Sequence, residues 1–143
     1  MASRRKGRIL AFQALYWWEA APAKTEELMS FIWLEEEKRE ALSEEIFAFS
    51  RLLIAGTIEN IKSIDSTIKK HLENWDISRL NRVDLAIIRM SVYTLLYQKE
   101  IAPSIVIDEA IGISKQFGTD DSFRFINGVL DSINNSINKQ GGK

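Results

Sequence analysis

The sequence predicts an all-α protein of one domain with six to seven helices. Apolar residues make up 45% and charged residues 27% of the 143 positions, which is the balance of one folded domain. Apolar side chains recur at helical spacing along most of the chain, and no stretch alternates as a half-buried strand does. The chain contains only two prolines, so long helices are permitted.

The first helix is expected to begin near Ser3, a good N-cap residue, and to end at Pro22. One stripe of small and apolar side chains is predicted to face the core: Ala11, Ala14, Leu15 and Trp18. A second stripe mixes a cation with aromatic rings, and we predict that it forms a functional surface: Arg5, Ile9, Phe12 and Tyr16.

A short second helix is predicted over residues 25–34. The acidic run at 35–37 then opens a long third helix that keeps apolar spacing to about His71, since carboxylates in a first turn face the positive end of the helix dipole. Gly56 marks a kink or a close contact within it. Residues 80–97 are apolar nearly all round, which predicts a helix buried on most sides.

The next helix is predicted to restart at Pro103 and to end at Gly118, a typical C-cap. Thr119 or Asp120 is expected to cap the last helix. Gly128 inside that helix costs about 1 kcal/mol relative to alanine, and close approach of another helix would explain it. We assign the domain to residues 1–139 and expect residues 140–143 to be disordered.

Charge is distributed unevenly along the chain, whose net charge is −1. Residues 1–18 contain no acid and four basic side chains: Arg4, Arg5, Lys6 and Arg8. The remaining residues hold 15 basic and 20 acidic side chains. Such asymmetry indicates a basic arm that binds a polyanion, attached to a mildly acidic body.

Catalysis and metal binding find little support. The chain has no cysteine and one histidine, His71, which excludes thiolate metal sites, multi-histidine metal sites and cysteine nucleophiles. No glycine-rich phosphate loop is present. We expect no enzyme, no cofactor and no metal. The lack of cysteine fits a reducing, cytoplasmic location, and the longest uncharged run, residues 9–18, is shorter than the roughly 20 residues that a membrane span needs.

Arg89 lies between Ile88 and Met90 in the most apolar helix. A buried guanidinium requires a carboxylate, so we expect an ion pair with Glu109, with Asp108 as the other candidate. The alternative is that Arg89 lies on the one exposed strip of its helix.

The segment 115–128 combines cations, aromatic rings and polar groups at a corner between two helices. Free N–H groups in the first turn of a helix suit phosphate, and aromatic rings at such a corner can stack on unpaired bases. The alternative is an ordinary capped turn with Phe125 in the core. The candidate binding residues of this corner are Lys115, Phe117, Asp121, Ser122 and Arg124.

Several segments together resemble the NusB family of bacterial transcription antitermination factors. They are the basic first helix with its Gln-Ala-Leu-Tyr ending (4–16) and residues 81–89, 93–96, 103–110, 115–118 and 125–131. The resemblance runs from residue 4 to about 133. Two positions depart from it: Asp108 stands where the family usually has asparagine, and Gly7 interrupts the basic arm, which suggests a helix that starts at or after residue 7.

The resemblance implies two small helical bundles packed together and no catalysis. It implies binding of single-stranded RNA, the boxA element of ribosomal RNA leader transcripts, together with the ribosomal protein NusE. This complex joins elongating RNA polymerase and other Nus factors and suppresses premature termination. The free protein could be a monomer or a homodimer. No membrane is involved.

From the charge and aromatic patterns, together with the resemblance, we predict that RNA is bound by eleven residues. They are Arg4, Arg5, Lys6, Arg8, Phe12, Tyr16, Lys115, Phe117, Asp121, Ser122 and Arg124. Because RNA and protein partner bind together, the partner surface is expected to be distinct, at Arg79, Arg82 and Asp84. Two alternatives stay open. One is the helical module of an RNA cytosine methyltransferase, of which a chain ending at residue 143 would be a fragment. The other is a protein-binding helical adaptor whose basic arm docks an acidic partner.

Overall fold

The computed structural model describes residues 2–22, 25–72 and 76–141. Regular secondary structure in this part of the chain is entirely helical, which confirms the predicted fold class. A 3-10 turn at Ile77–Arg79 precedes the sixth helix. The α-helices are α1 (Ala2–Ala20), α2 (Thr25–Ser30), α3 (Glu36–Ala41), α4 (Glu44–Glu59), α5 (Ile61–Lys70), α6 (Arg82–Tyr97), α7 (Pro103–Phe117) and α8 (Ser122–Gly141).

Helix α6 is the central element of the fold. It packs against α1, α4 and α5 and also against α7 and α8. Every residue from 84 to 95 is buried, as its all-round apolar sequence predicts. The helices before and after α6 therefore share it as a common core.

The region between residues 35 and 71 forms three helices instead of the one long helix predicted. The Ser43 side chain caps α4 by accepting a hydrogen bond from the N–H of Ile46. The Asn60 side chain donates to the carbonyl of Gly56 at 2.8 Å where α4 gives way to α5. Polar side chains that hydrogen-bond to the nearby backbone thus mark helix ends that apolar spacing does not reveal.

Helix α2 also ends earlier than predicted, at Ser30. Phe31 adopts a positive φ of 61°, a conformation that a helix cannot continue through. Its side chain is nonetheless 1% exposed and packs against Trp33 and Phe47 at ring-centroid distances of 5.9 and 4.9 Å. This turn is therefore held in place by core packing.

Two glycines test the sequence expectations in opposite ways. A Cβ at Gly56 would overlap the ring of Tyr93, so the predicted close contact is confirmed. Among the described residues, no atom of another element lies within 4 Å of a Cβ built at Gly128, so the predicted close approach of a helix there is wrong, and nothing in this part of the chain explains the glycine.

The ends of α8 differ from expectation. The helix begins at Ser122, so neither Thr119 nor Asp120 is its cap. It continues through Gly141, beyond the predicted domain end at residue 139, and the predicted disorder of residues 140–143 stays a prediction. Residues 142 and 143 lie outside the described residues.

Arg89 is buried, at 7% exposure, but its predicted partner is wrong. Its Nε and Nη2 donate to the carboxylate of Asp65 at 2.9 and 2.8 Å, and its Nη1 pairs with Glu19. Burial lowers the pKa of the guanidinium, and these hydrogen bonds raise it above its ordinary value overall. The acids come from α5 and α1, which pack on α6, whereas Glu109 bonds to arginines of α1.

Candidate nucleic-acid interface

The four cations of the N-terminal arm lie on a regular helix. Helix α1 begins at Ala2, so Ser3 lies inside it, and the expectation that it starts at or after residue 7 is wrong. A Cβ at Gly7 would lie 2.6 Å from Cδ2 of Phe49 on α4. The glycine therefore allows α1 to approach α4 closely, which explains why it interrupts the basic run.

Arg4 and Lys6 are the exposed cations of the arm. The Arg4 guanidinium carbon lies 4.4 Å from the ring centroid of Phe49, and that of Arg8 lies 5.4 Å from the same centroid. Cations within about 6 Å of an aromatic face are attracted to it. Phe49 is half-buried and supports two arginines of the arm.

Arg5 and Arg8 are held by one carboxylate on α7. The Nε and Nη2 atoms of Arg5 donate to Glu109 at 2.6 and 3.0 Å, and Nη1 of Arg8 lies 3.5 Å from the same carboxylate. The bond from Arg5 lowers the pKa of Glu109 and raises that of Arg5, whereas burial lowers the pKa of Arg8. The four cations therefore divide into two exposed and two bound ones.

The predicted aromatic stripe is divided as well. Tyr16 is 38% exposed, but Phe12 is 3% exposed, so its assignment to the surface is wrong. The ring of Phe12 meets that of Phe117 edge to face, with centroids 5.2 Å apart. Phe12 is buried because α7 ends against this part of α1. The contact brings the first helix and the predicted 115–128 corner together.

An open cavity of about 370 Å³ lies beside this contact. Phe12, Tyr16 and Phe117 line it with three residues that sequence reasoning missed, Trp17, Trp33 and Lys38. Trp33 is fixed by a hydrogen bond from its Nε1 to the carbonyl of Leu28 at 3.0 Å. Tyr16, Trp17 and Phe117 are the exposed rings of this lining, and exposed aromatic faces can stack on unpaired bases. We call this cavity the aromatic groove.

The corner between α7 and α8 presents two exposed cations around one ring. The Nζ of Lys115 lies 4.9 Å, and the guanidinium carbon of Arg124 5.4 Å, from the ring centroid of Phe123. Asp121 is exposed. Ser122 is 1% exposed, and its hydroxyl accepts the N–H of Thr119 at 2.9 Å, which ties it to the turn.

The three predicted partner-binding residues adjoin this corner. Arg79 is exposed, and Arg82 bonds to Glu19 at 2.9 Å. Asp84 is 7% exposed, burial raises its pKa, and its Oδ1 has no hydrogen-bond partner in the described part of the chain. A cavity of about 390 Å³ is lined by Arg79 and Asp84 together with Asp121 and Ser122. The two predicted surfaces are therefore neighbours.

Across residues 2–22, 25–72 and 76–141, no helix has the length and apolar character needed to cross a membrane. The same residues contain no cluster of histidine and acidic side chains suited to a metal ion.

The comparisons with known proteins agree with this architecture. The NusB family model matches residues 5–135. The transcription antitermination protein NusB of Treponema denticola is 52% identical over 132 residues, which cover 92% of this chain and 96% of that protein. A solved structure of T. maritima NusB superimposes with a TM-score of 0.81 at 35% identity and covers 92% of this chain and 90% of that one.

A further solved structure contains the antitermination factors NusB and NusE in complex with double-stranded RNA. It matches with a TM-score of 0.83 at 27% identity and covers 95% of this chain and 98% of that one. Because the family model spans most of the sequence and the helical fold agrees with these structures, the chain belongs to the NusB family.

Proposed function

We propose that this chain is a cytoplasmic transcription antitermination factor that binds boxA RNA together with NusE. In this role it joins RNA polymerase and other Nus factors and suppresses premature termination in ribosomal RNA leaders, without catalysing a reaction. The observation that carries the proposal is the family match over residues 5–135. The juxtaposition of the basic arm with the aromatic groove supports it.

The RNA strand is proposed to follow α1 from its exposed cations to the aromatic groove. Lys6 and Tyr16 are ten residues apart, which is about 15 Å along a helix at 1.5 Å per residue. Arg4 and Lys6 would contact phosphates, which supply most of the salt-dependent affinity. Tyr16 and Phe117 would stack on bases, and Lys115 and Arg124 extend the positive surface beyond the groove.

NusE is proposed to bind at Arg79 and Arg82, beside the corner that carries Asp121. Because both residue sets line or adjoin one cavity, RNA and NusE would bind side by side. Asp84 is buried and would shape this surface instead of contacting the partner. Arg79→Glu is the cleaner test, since Arg82 shares Glu19 with the buried Arg89. It should weaken the heterodimer and spare RNA binding by the free protein.

The deciding experiment is a fluorescence anisotropy titration of a boxA-like single-stranded oligonucleotide, with and without NusE. A scrambled oligonucleotide of equal length is the control. We expect salt-dependent binding that NusE tightens and that the scrambled sequence loses. Binding of NusE without any RNA binding would favour the protein-binding adaptor. Absence of both interactions would contradict the proposed function.

A further inference from the structure

We propose that Glu109 positions the basic arm for RNA, although it is itself an acidic side chain beside a surface for a polyanion. This inference rests on the proposed RNA-binding function. It assigns to Glu109 a role that acts through Arg5 and Arg8 and requires no contact with the RNA.

The geometry is that of a clamp between two helices. Glu109 accepts two hydrogen bonds from Arg5, at 2.6 and 3.0 Å, and lies 3.5 Å from Arg8. Bidentate contacts of this kind fix the orientation of a guanidinium as well as its position. Arg5 and Arg8 are three residues apart and share one face of α1. A single carboxylate therefore attaches the first turns of α1 to α7.

The surroundings of Arg5 leave room for this clamp. A Cβ at Gly112, one turn after Glu109, would lie 2.6 to 2.9 Å from the guanidinium atoms of Arg5. The absence of a side chain at this position thus makes space for the guanidinium against α7. On the other side of α1, Gly7 allows contact with Phe49 on α4. The arm is consequently seated between two helices.

Such a clamp matters because the end of a helix frays readily, and four neighbouring cations repel one another. Glu109 offsets part of this repulsion and orders the turns that carry Arg4 and Lys6. Both exposed cations are then in place before RNA arrives, so that less conformational freedom is lost on binding.

Charge alone predicts that loss of the Glu109 carboxylate would increase the affinity for RNA, which is the opposite of the effect expected from a positioning role. Removing a carboxylate near bound phosphate should strengthen RNA binding, and it would also release Arg5 for a phosphate contact. A positioning role predicts weaker binding, so the sign of the change separates the two accounts.

The test compares Glu109→Gln with Asp108→Asn, which removes the same charge from the adjacent, exposed position. We expect Glu109→Gln to bind the boxA-like oligonucleotide about three- to tenfold more weakly than Asp108→Asn, the scale of one partly exposed charged hydrogen bond. Glu109→Asp, which keeps the carboxylate, should recover part of the loss. A difference below about threefold, or tighter binding by Glu109→Gln, overturns the proposal.

A second measurement does not depend on RNA. Amide hydrogen exchange reports local opening, and the amides of residues 6–10 should exchange at least about threefold faster in Glu109→Gln than in Asp108→Asn. Unchanged exchange overturns the proposal, whatever the RNA result. Failure of the wild-type protein to bind RNA, with faster exchange in Glu109→Gln, would instead contradict the proposed function and leave the clamp itself established.

Discussion

Two clusters of this protein are both built from ion pairs between arginines and carboxylates, but they differ in net charge. In the cluster centred on the buried Arg89, which we call the core cluster, Arg89 and Arg82 meet Glu19 and Asp65, so that two cations face two carboxylates across α1, α5 and α6. In the arm, two of the four cations, Arg5 and Arg8, share the carboxylate of Glu109. The core cluster is neutral, with Arg89 buried, Glu19 and Asp65 half-buried and Arg82 exposed, whereas the arm keeps an excess of positive charge at the surface.

This difference separates a structural role from a binding role. A neutral cluster around a buried guanidinium can hold helices together but has no excess charge that would attract a polyanion. The arm has enough acid to order it and too little to neutralise it, and the remaining cations can attract phosphate. Charge balance, and not the number of arginines, therefore distinguishes the proposed RNA surface from the core cluster.

The largest expected effect concerns the core cluster. Asp65→Ala removes the bidentate partner of a buried guanidinium and should lower the free energy of unfolding by about 2–3 kcal/mol. Glu19 remains as a partner, so the protein should still fold. Urea denaturation measures the loss, with Asp131→Ala at an exposed site of α8 as the control.

RNA affinity of folded Asp65→Ala should equal that of the wild type, because the core cluster lies outside the proposed RNA surface. A loss of RNA affinity with little change in stability would break the distinction between the two clusters.

The outcome at these arginines shows where sequence reasoning succeeds. The apolar neighbours of Arg89 correctly predicted that it is buried and needs a carboxylate. They could not tell which acid reaches it, because Asp65 and Glu19 arrive through the packing of α5 and α1 on α6. Glu109 was recognised as an ion-pair partner, but its arginines lie more than 100 positions away in the chain.

The sequence predicted which types of residue form the candidate site. It did not predict correctly which of those side chains are exposed. Basic residues and aromatic rings near both chain ends indicated the binding elements, and the contact between Phe12 and Phe117 brings them together. Helical spacing alone placed Phe12 on the surface, since it does not show that the end of α7 covers this part of α1. The turn at Phe31 and the position of Trp33 in the groove likewise depend on tertiary packing.

A smaller effect on RNA affinity is expected when Gly112 is replaced by alanine, and the same replacement of Gly128 is the matched control. Gly112→Ala should displace the guanidinium of Arg5 from Glu109 without changing any charge, and it should weaken RNA binding by about two- to fivefold. Stability should change little, because the tip of a long side chain can move and alanine favours the helix. Gly128→Ala brings the same preference at a site where a Cβ would meet no other element of the described residues, and RNA binding should be unaffected. Equal RNA affinities of the two variants would contradict the seating of Arg5.

The smallest expected effect is the pH dependence of the stability that the ion pair between Arg5 and Glu109 contributes. The hydrogen bond from Arg5 lowers the pKa of Glu109 in the folded state, so the carboxylate contributes stability above its unfolded pKa, about 4.3. That contribution is lost as the pH falls through the folded pKa. Because Arg5 is 35% exposed, the contribution should stay below about 1 kcal/mol. Urea denaturation of wild type and Glu109→Gln should show a difference at pH 6 that narrows toward about pH 3. A constant difference would contradict the ion pair.

The most direct test of the excess positive charge is the salt dependence of RNA binding. The variant Arg4→Gln, Lys6→Gln removes the two exposed arm cations, and Lys69→Gln, Lys70→Gln removes two exposed cations of α5 as the charge-matched control. Titration of the boxA-like oligonucleotide between about 50 and 200 mM salt gives the slope of log K against log salt. We expect the arm variant to flatten this slope by about 1.4, since each phosphate contact on a single strand contributes about 0.7, while the α5 variant keeps the wild-type slope. Equal slopes for the two variants would contradict this expectation.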